Sequence, residues 1–179
     1  ATGMTMHETG IKQCIEKVAA AIEWGKTAKP SAPNKLRGKG IAVMWKAPAM
    51  PPNAGSSSIV KMNSDGTVDV SIGGQEIGQG TFTAMAQIAA ETLGMSYDVV
   101  KVTGPIDTKY SPYEWQTVAS RLTWSMGNAV KLAAADARQK ILNLVAESWH
   151  EDINDLDIKD GVVISYKTEE SIPIKDFVI

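Results

Sequence analysis

One cysteine, Cys14, is all that the 179 residues contain. An intramolecular disulfide, an iron–sulfur cluster and a cysteine-ligated zinc site are therefore excluded within this chain. The two histidines, His7 and His150, stand far apart and match no metal-ligand spacing. No apolar run approaches the roughly 18 residues needed to span a bilayer, and the first residues carry no signal-peptide pattern. Neither sign of charge dominates: 21% of residues are charged and the net charge is −2. That balance gives no electrostatic reason to expect nucleic acid or a membrane surface as partner. Cytoplasm is the compartment expected by default. Internal repeats and low-complexity tracts are absent too, which excludes solenoids and arrays.

What is present is the composition of an ordinary globular chain, 44% hydrophobic, long enough to bury a core and read as a single domain over 1–179. There is no initiator methionine, and the chain stops at "SIPIKDFVI" as a new amphipathic segment opens. A processed piece or an expressed fragment is the expectation.

Ile11, Cys14, Ile15, Val18, Ala19 and Ile22 recur at helical spacing, with Gly25 placed to end the helix. "KTAKPSAPNKLRGKG" reads as a loop, "GIAVMWK" as a strand and "PAMPPNAGSS" as a Pro-rich turn region. "SSIVKMNSDGTVDVSIGG" alternates on both sides of Asp65-Gly66, a hairpin signal. A helix with Phe82, Met85, Ala86, Ala89 and Leu93 on one face follows, closed by Gly94. "YDVVKVTG" predicts a strand. A long helix, roughly 117–148, carries Leu122, Met126, Val130, Ala133, Ala137, Ile141 and Leu144 along one stripe. A second hairpin turns at Asp160-Gly161. Because strands come in hairpins and not in strict alternation with helices, the fold class is α+β. The layered domain has hairpins forming a mixed or antiparallel sheet packed against two or three helices.

Two stretches carry chemistry. In "GGQEIGQGTFTAMAQIAAETLG", Gly73-Gly74 end a strand, Gly78-Gln79-Gly80 bend, and Thr81 opens a helix. Unpartnered amides and the helix dipole favour an anion there, commonly phosphate. Glycines allow close approach of a ligand, and the glutamine amides suit a heterocycle edge. A plain tight turn would use the same glycines. No lysine stands beside Gly80, which excludes a Walker loop, and the dinucleotide spacing is missing as well.

The second stretch is "SPYEWQTVASRLTWSMGNAVKLAA". Ser120-Arg121 lies near the start of the long helix, with Thr117 and Thr123 about a turn away on either side. Such an arginine can fork onto a phosphate, or it can pair with a carboxylate of the protein. Gly127 and Asn128 inside a helix predict close packing.

Together the two stretches resemble the xanthine dehydrogenase/aldehyde oxidase family, and within it the molybdopterin-binding domain of the large catalytic subunit. The G-Q-E-I-G-Q-G loop, the D-T segment, the A-S-R motif and M-G-N-A-V match in order and spacing, over about 38–145 and more loosely before it. The resemblance implies that Gly78, Gln79, Gly80 and Thr81 contact the pterin or pyrophosphate of a molybdenum cofactor, with Gln79 the side-chain contact. It implies that Ser120 and Arg121 hold the phosphate end. Ser-Arg resembles bacterial members whose molybdopterin carries an appended nucleotide, typically as the cytosine dinucleotide.

The parent enzyme so implied is an oxidoreductase that hydroxylates aldehydes or N-heterocycles with water and passes electrons to iron–sulfur and FAD partner domains or subunits. The family's Gly-x-Gly-Glu base motif is missing from this sequence, and its Phe-Gly-Gly loop and Arg-Gly cofactor segment, both N-terminal to this region in the family, are not among the stretches matched. The chain is accordingly expected to be a fragment or split piece of a molybdopterin-binding domain. It would supply neither a catalytic residue nor a metal ligand and would be inactive alone. A non-catalytic binding or assembly module that keeps the loop is the alternative. Glu76 is expected to cap backbone or face solvent more readily than to act as a base. An exposed apolar face around Trp24, Trp45, Trp115 and Trp149 would mark a missing partner; core positions are expected for at least three of the four.

Overall fold

The computed structural model describes residues 9–44 and 52–177. The chain divides into two compact units, 1–47 and 48–179. In the first, helix α1 (Ile11–Ala21) begins where the periodicity predicts and is followed by turns through Gly25, whose φ is +88°. None of its residues is buried. The predicted strand "GIAVMWK" is not formed over 40–44, where no partner strand runs alongside; Trp45 and Lys46 lie outside the described residues.

The second unit holds the core. Strands β1 (Ser58–Met62) and β2 (Val68–Ile72) form the antiparallel hairpin predicted at Asp65-Gly66. Asp65 Oδ1 accepts from the Thr67 amide at 2.9 Å, and Gly66 takes the positive φ that the turn requires. From β2 the chain runs through the glycine loop into α2 (Thr81–Leu93) and returns as β3 (Val100–Thr103), parallel to β2. The sheet order is β1-β2-β3. Val68, Val70 and Ile72 point from β2 onto Met85, Ala86, Ala89 and Leu93 of α2, all at most 3% exposed. Gly94 ends α2 in the left-handed conformation; a Cβ there would stand 2.2 Å from the Ile158 carbonyl oxygen.

Helix α3 spans Arg121–Trp149. Its buried stripe runs through Leu122, Met126, Val130, Ala134, Ile141 and Val145. Leu144, assigned to that stripe from spacing, is 55% exposed, because the face drifts around a long helix and Val145 takes the inward place. Gly127 shows the reason for its presence: a Cβ would approach Ile88 Cδ1 of α2 to 2.9 Å. Asn128 does not share it, being exposed with its amide on the Trp124 carbonyl.

The rest is a second sheet, antiparallel throughout. Strands β4 (Leu156–Lys159), β5 (Val162–Ser165) and β6 (Ser171–Pro173) lie in that order, and the short α4 (Ile174–Phe177) follows. The Asp160-Gly161 turn has positive φ at both residues, +49° and +76°, the geometry that matches strand twist. Two small sheets thus stand where one mixed or antiparallel sheet was expected. The class, α+β with hairpins against helices, is as expected. No helix among the described residues is long and apolar enough to cross a membrane.

Of the tryptophans, Trp149 packs partly buried on the second cluster and Trp115 is half-buried, whereas Trp24 is 55% exposed. Trp124, which spacing did not single out, is 75% exposed.

Candidate functional site

The glycine loop leaves β2 through Gly73-Gly74. A Cβ on Gly73 would fall 2.1 Å from the Pro112 carbonyl oxygen, and one on Gly74 would fall 2.9 Å from Leu122 Cδ1. These two glycines therefore let the 112–114 segment and the start of α3 come against the loop. One hydroxyl then joins the two stretches. The Gln75 amide donates to Thr117 Oγ1 at 2.8 Å, and Thr117 Oγ1 donates to the Gln75 carbonyl at 3.1 Å.

Between the stretches lies a cavity of about 350 Å³. Gln79, Thr81, Thr117, Ser120 and Thr123 give it hydroxyls and an amide, and Ile77, Val118 and Leu122 give it apolar walls. Three of the six expected cofactor contacts, Gln79, Thr81 and Ser120, line it. Gly78, Gly80 and Arg121 do not.

Gly78 and Gly80 shape the loop. Both have positive φ, +101° and +80°, with nothing within 4 Å of an added Cβ. Their amides are already used: Glu76 Oε1 accepts from Gly78 N at 2.7 Å and Gly80 N at 3.0 Å, and Oε2 accepts from Phe82 N at 3.4 Å. Desolvation works to raise the Glu76 pKa, but the amides of Gly80, Gly78, Phe82 and Thr81 outweigh it and hold the carboxyl below its ordinary 4.5. The N-terminus of α2 thus has an internal anion, and Glu76 caps backbone as expected. Gln79 also folds onto its own loop. Its Oε1 accepts from Ile77 N at 2.7 Å, and its Nε2 donates to the Gln75 carbonyl at 3.1 Å and to Thr81 Oγ1.

The α3 junction is different. Ser120, its N-cap, makes no capping side-chain hydrogen bond, and no acid lies in the first turn. Helix α3 begins at Arg121 and not at Thr117, because Ala119 and Ser120 are both left-handed, with φ of +51° and +57°. The start of α3 therefore meets the cavity uncapped, with Ser120 and Thr123 in its wall.

Arg121 turns the other way. Its side chain is 4% exposed and paired with Glu114, itself 3% exposed. Nη1 also donates to the Gln116 carbonyl at 2.9 Å; Nη2 donates to the Ala54 carbonyl at 2.8 Å and to Ser125 Oγ at 2.7 Å. Of the two readings of this arginine, the pairing with a carboxylate of the protein is formed here. Neither partner could be foreseen from spacing. Glu114 lies outside any periodic pattern, and Ser56, which donates to Glu114 Oε2 at 2.6 Å, is 58 residues away.

Neutral hydroxyls, one amide and an uncapped helix start, with no titratable side chain among the lining residues, fit a phosphate-bearing ligand that brings its own charge. The volume fits part of a dinucleotide-sized cofactor and not the whole. Among the described residues no cluster of three metal-ligating side chains occurs. The class so defined is an α+β domain with a polar cavity between two loop-to-helix junctions.

Comparison with known proteins makes the class specific. Residues 17–179 match the model of the molybdopterin cofactor-binding domain, and the chain belongs to that family. It is 32% identical over 181 aligned residues to the putative xanthine dehydrogenase molybdenum-binding subunit XdhA of Escherichia coli K12, covering 96% of this chain and 24% of that protein. It is 31% identical over 163 residues to the probable hypoxanthine oxidase XdhD of the same organism, covering 90% of this chain and 17% of that protein. Among solved structures, quinoline 2-oxidoreductase from Pseudomonas putida 86 superposes with a TM-score of 0.62 at 26% identity, over 69% of this chain and 16% of that one. The Cu,Mo-CO dehydrogenase superposes with a TM-score of 0.63 at 25% identity, over 69% of this chain and 16% of that one. The chain thus spans about a quarter or less of the length of these relatives.

Proposed function

We propose that this chain supplies one wall of the cofactor site of a molybdenum hydroxylase. The cavity between the Gly78-Gln79-Gly80-Thr81 loop and Ser120-Arg121 would hold part of a molybdopterin, as its cytosine dinucleotide. The observation that carries the reading is that cavity: the two motifs which resemble the family in sequence close on one polar space. Within it the division of labour follows from charge. Glu76 already fills the amides of α2, so the anionic end of the cofactor belongs at the uncapped start of α3, beside Thr117, Ser120 and Thr123. The neutral pterin side belongs at Gln79 and Thr81, with Gly78 and Gly80 setting the bend that presents them. Arg121 contributes from behind Ser120.

When bound, the cofactor supplies the oxygen-transfer and two-electron chemistry. This chain's residues bind and orient it, and no acid or base side chain lines the cavity. The catalytic base therefore comes from other parts of the large subunit, and the isolated chain has no turnover. Substrates are aldehydes or N-heterocycles; the relatives named for hypoxanthine and quinoline support the heterocyclic side. Electrons leave to iron–sulfur and FAD domains or subunits, and the site of action is the cytoplasm.

The test is molybdenum and CMP content, after hydrolysis, of the protein purified from its own host with whatever accompanies it. One molybdenum and one CMP per chain is the expected result. Molybdenum without CMP would remove the dinucleotide, and neither would leave the non-catalytic module standing.

A further inference from the structure

Eight residues, 114–121, run from an isolated β-bridge between Ser56 and Glu114 into α3, and both ends of this segment are locked to each other. Glu114 and Arg121 form an ion pair shielded from solvent, with side chains 3% and 4% exposed. Its other valences are satisfied from three separate stretches of chain. Glu114 Oε1 accepts from the Gln116 amide at 3.0 Å, and Oε2 accepts from Ser56 Oγ at 2.6 Å. Arg121 reaches the Gln116 and Ala54 carbonyls and Ser125 Oγ. No buried side-chain polar atom among the described residues lacks a partner.

Inside this closed segment sit Ala119 and Ser120, two consecutive non-glycine residues with left-handed backbone. Each disfavours that conformation by roughly five- to thirtyfold in population. Neither has a side-chain bond that would compensate, since Ser120 makes no capping hydrogen bond. Something must hold the segment, and the ion pair spans it. Lysine could not serve, since a guanidinium presents five donors in a fixed fork and an ammonium three on a flexible stem.

From this geometry we infer that the Glu114–Arg121 pair is a clamp that holds Ala119–Ser120 left-handed, which makes Arg121 a positioning residue for the cofactor wall and not a phosphate ligand. The inference rests on the cofactor reading above for its purpose, but the clamp itself is a property of the fold. What it positions is the start of α3. With Ala119 and Ser120 in right-handed or extended backbone, Ser120 would leave the cavity and the helix amides would turn with it. A buried pair retained at a strained junction is specificity for one geometry.

The experiment compares the wild-type protein, in its native assembly, with R121M/E114Q and with that double variant carrying Ala119→Gly. The double change removes both charges together, so no lone charge is left buried, and glycine takes positive φ without penalty. Amide hydrogen exchange over 117–123 and molybdenum content per chain are read on each. In R121M/E114Q the exchange should rise roughly tenfold or more and molybdenum should fall; Ala119→Gly should restore most of both. Unchanged exchange in R121M/E114Q would overturn the clamp. Exchange restored by Ala119→Gly with molybdenum still lost would overturn the positioning role and make the guanidinium a direct ligand. A wild-type protein without molybdenum would instead sink the cofactor reading, while its exchange pattern would still decide the clamp.

Discussion

Three glycines in one loop should respond differently to the same methyl group. At Gly73 the added carbon meets the Pro112 carbonyl oxygen at 2.1 Å and Glu114 Cβ at 3.0 Å. That segment cannot retreat, because the Ser57 amide donates to the Tyr113 carbonyl at 2.8 Å and the Trp115 amide donates to the Gly55 carbonyl at 3.2 Å. Gly73→Ala should therefore cost about 3 kcal/mol, the upper end of ordinary overpacking. At Gly74 the obstacle is the tip of Leu122, at 2.9 Å from Cδ1 and 3.1 Å from Cδ2. A side-chain tip can turn aside, for about 1 kcal/mol, and the stiffer unfolded chain returns ~0.5 kcal/mol of that. Gly78 has nothing within 4 Å of an added Cβ but a φ of +101°. Its alanine variant should lose about 1–2 kcal/mol from backbone conformation alone.

Urea unfolding read by circular dichroism measures the series. With a slope near 2 kcal/mol per molar, Gly73→Ala and Gly74→Ala should differ by about 1 M in midpoint. Equal midpoints for those two would refute the steric account. A harmless Gly78→Ala would refute the conformational one.

The remaining predictions concern charge and core. The Glu76 carboxyl is held below its ordinary 4.5, so its contribution to stability is fully present above that pH and is lost as pH falls through the lowered folded value. Acid titration of Glu76→Gln should show a stability difference from wild type that is constant near neutrality and shrinks below 4.5; a difference that grew on acidification would reverse the sign. The Arg138–Asp157 pair ties α3 to β4 with side chains 29% and 28% exposed, so Arg138→Met should cost no more than about 1 kcal/mol in denaturant midpoints and less at high salt. Desolvation opposes ionisation of Asp157, yet the Tyr166 hydroxyl and the Ile158 amide still hold its carboxyl below 3.8. Val130→Ala, at a fully buried position between α3 and α2, should lower thermal and denaturant stability by about 1–3 kcal/mol while leaving the cavity-lining residues untouched. A loss as large at the exposed Leu132 would show that burial was not the cause.

The sequence by itself determined what depends on neighbours a few residues apart. Alternation around Asp65-Gly66 and Asp160-Gly161 dictated both hairpins, since those turns need residues that accept positive φ. Helical spacing dictated α2 and most of α3, and the ordered motifs were enough to mark the family. Even the reach of Glu76 onto amides two to six residues ahead was legible as a capping role.

Only the tertiary structure decided which way Arg121 faces. Its surroundings come from Ala54, Glu114, Gln116 and Ser125, and the residues between carry no spacing that could announce the meeting. The same holds for the left-handed Ala119–Ser120, which local preference disfavours, and for the Thr117 hydroxyl that bridges to Gln75 across 42 residues. Local propensity acts through the nearest turns of chain. A buried ion pair acts through whatever the fold brings within hydrogen-bond distance, and here that is Ala54, Ser56, Gln116 and Ser125 around Glu114 and Arg121.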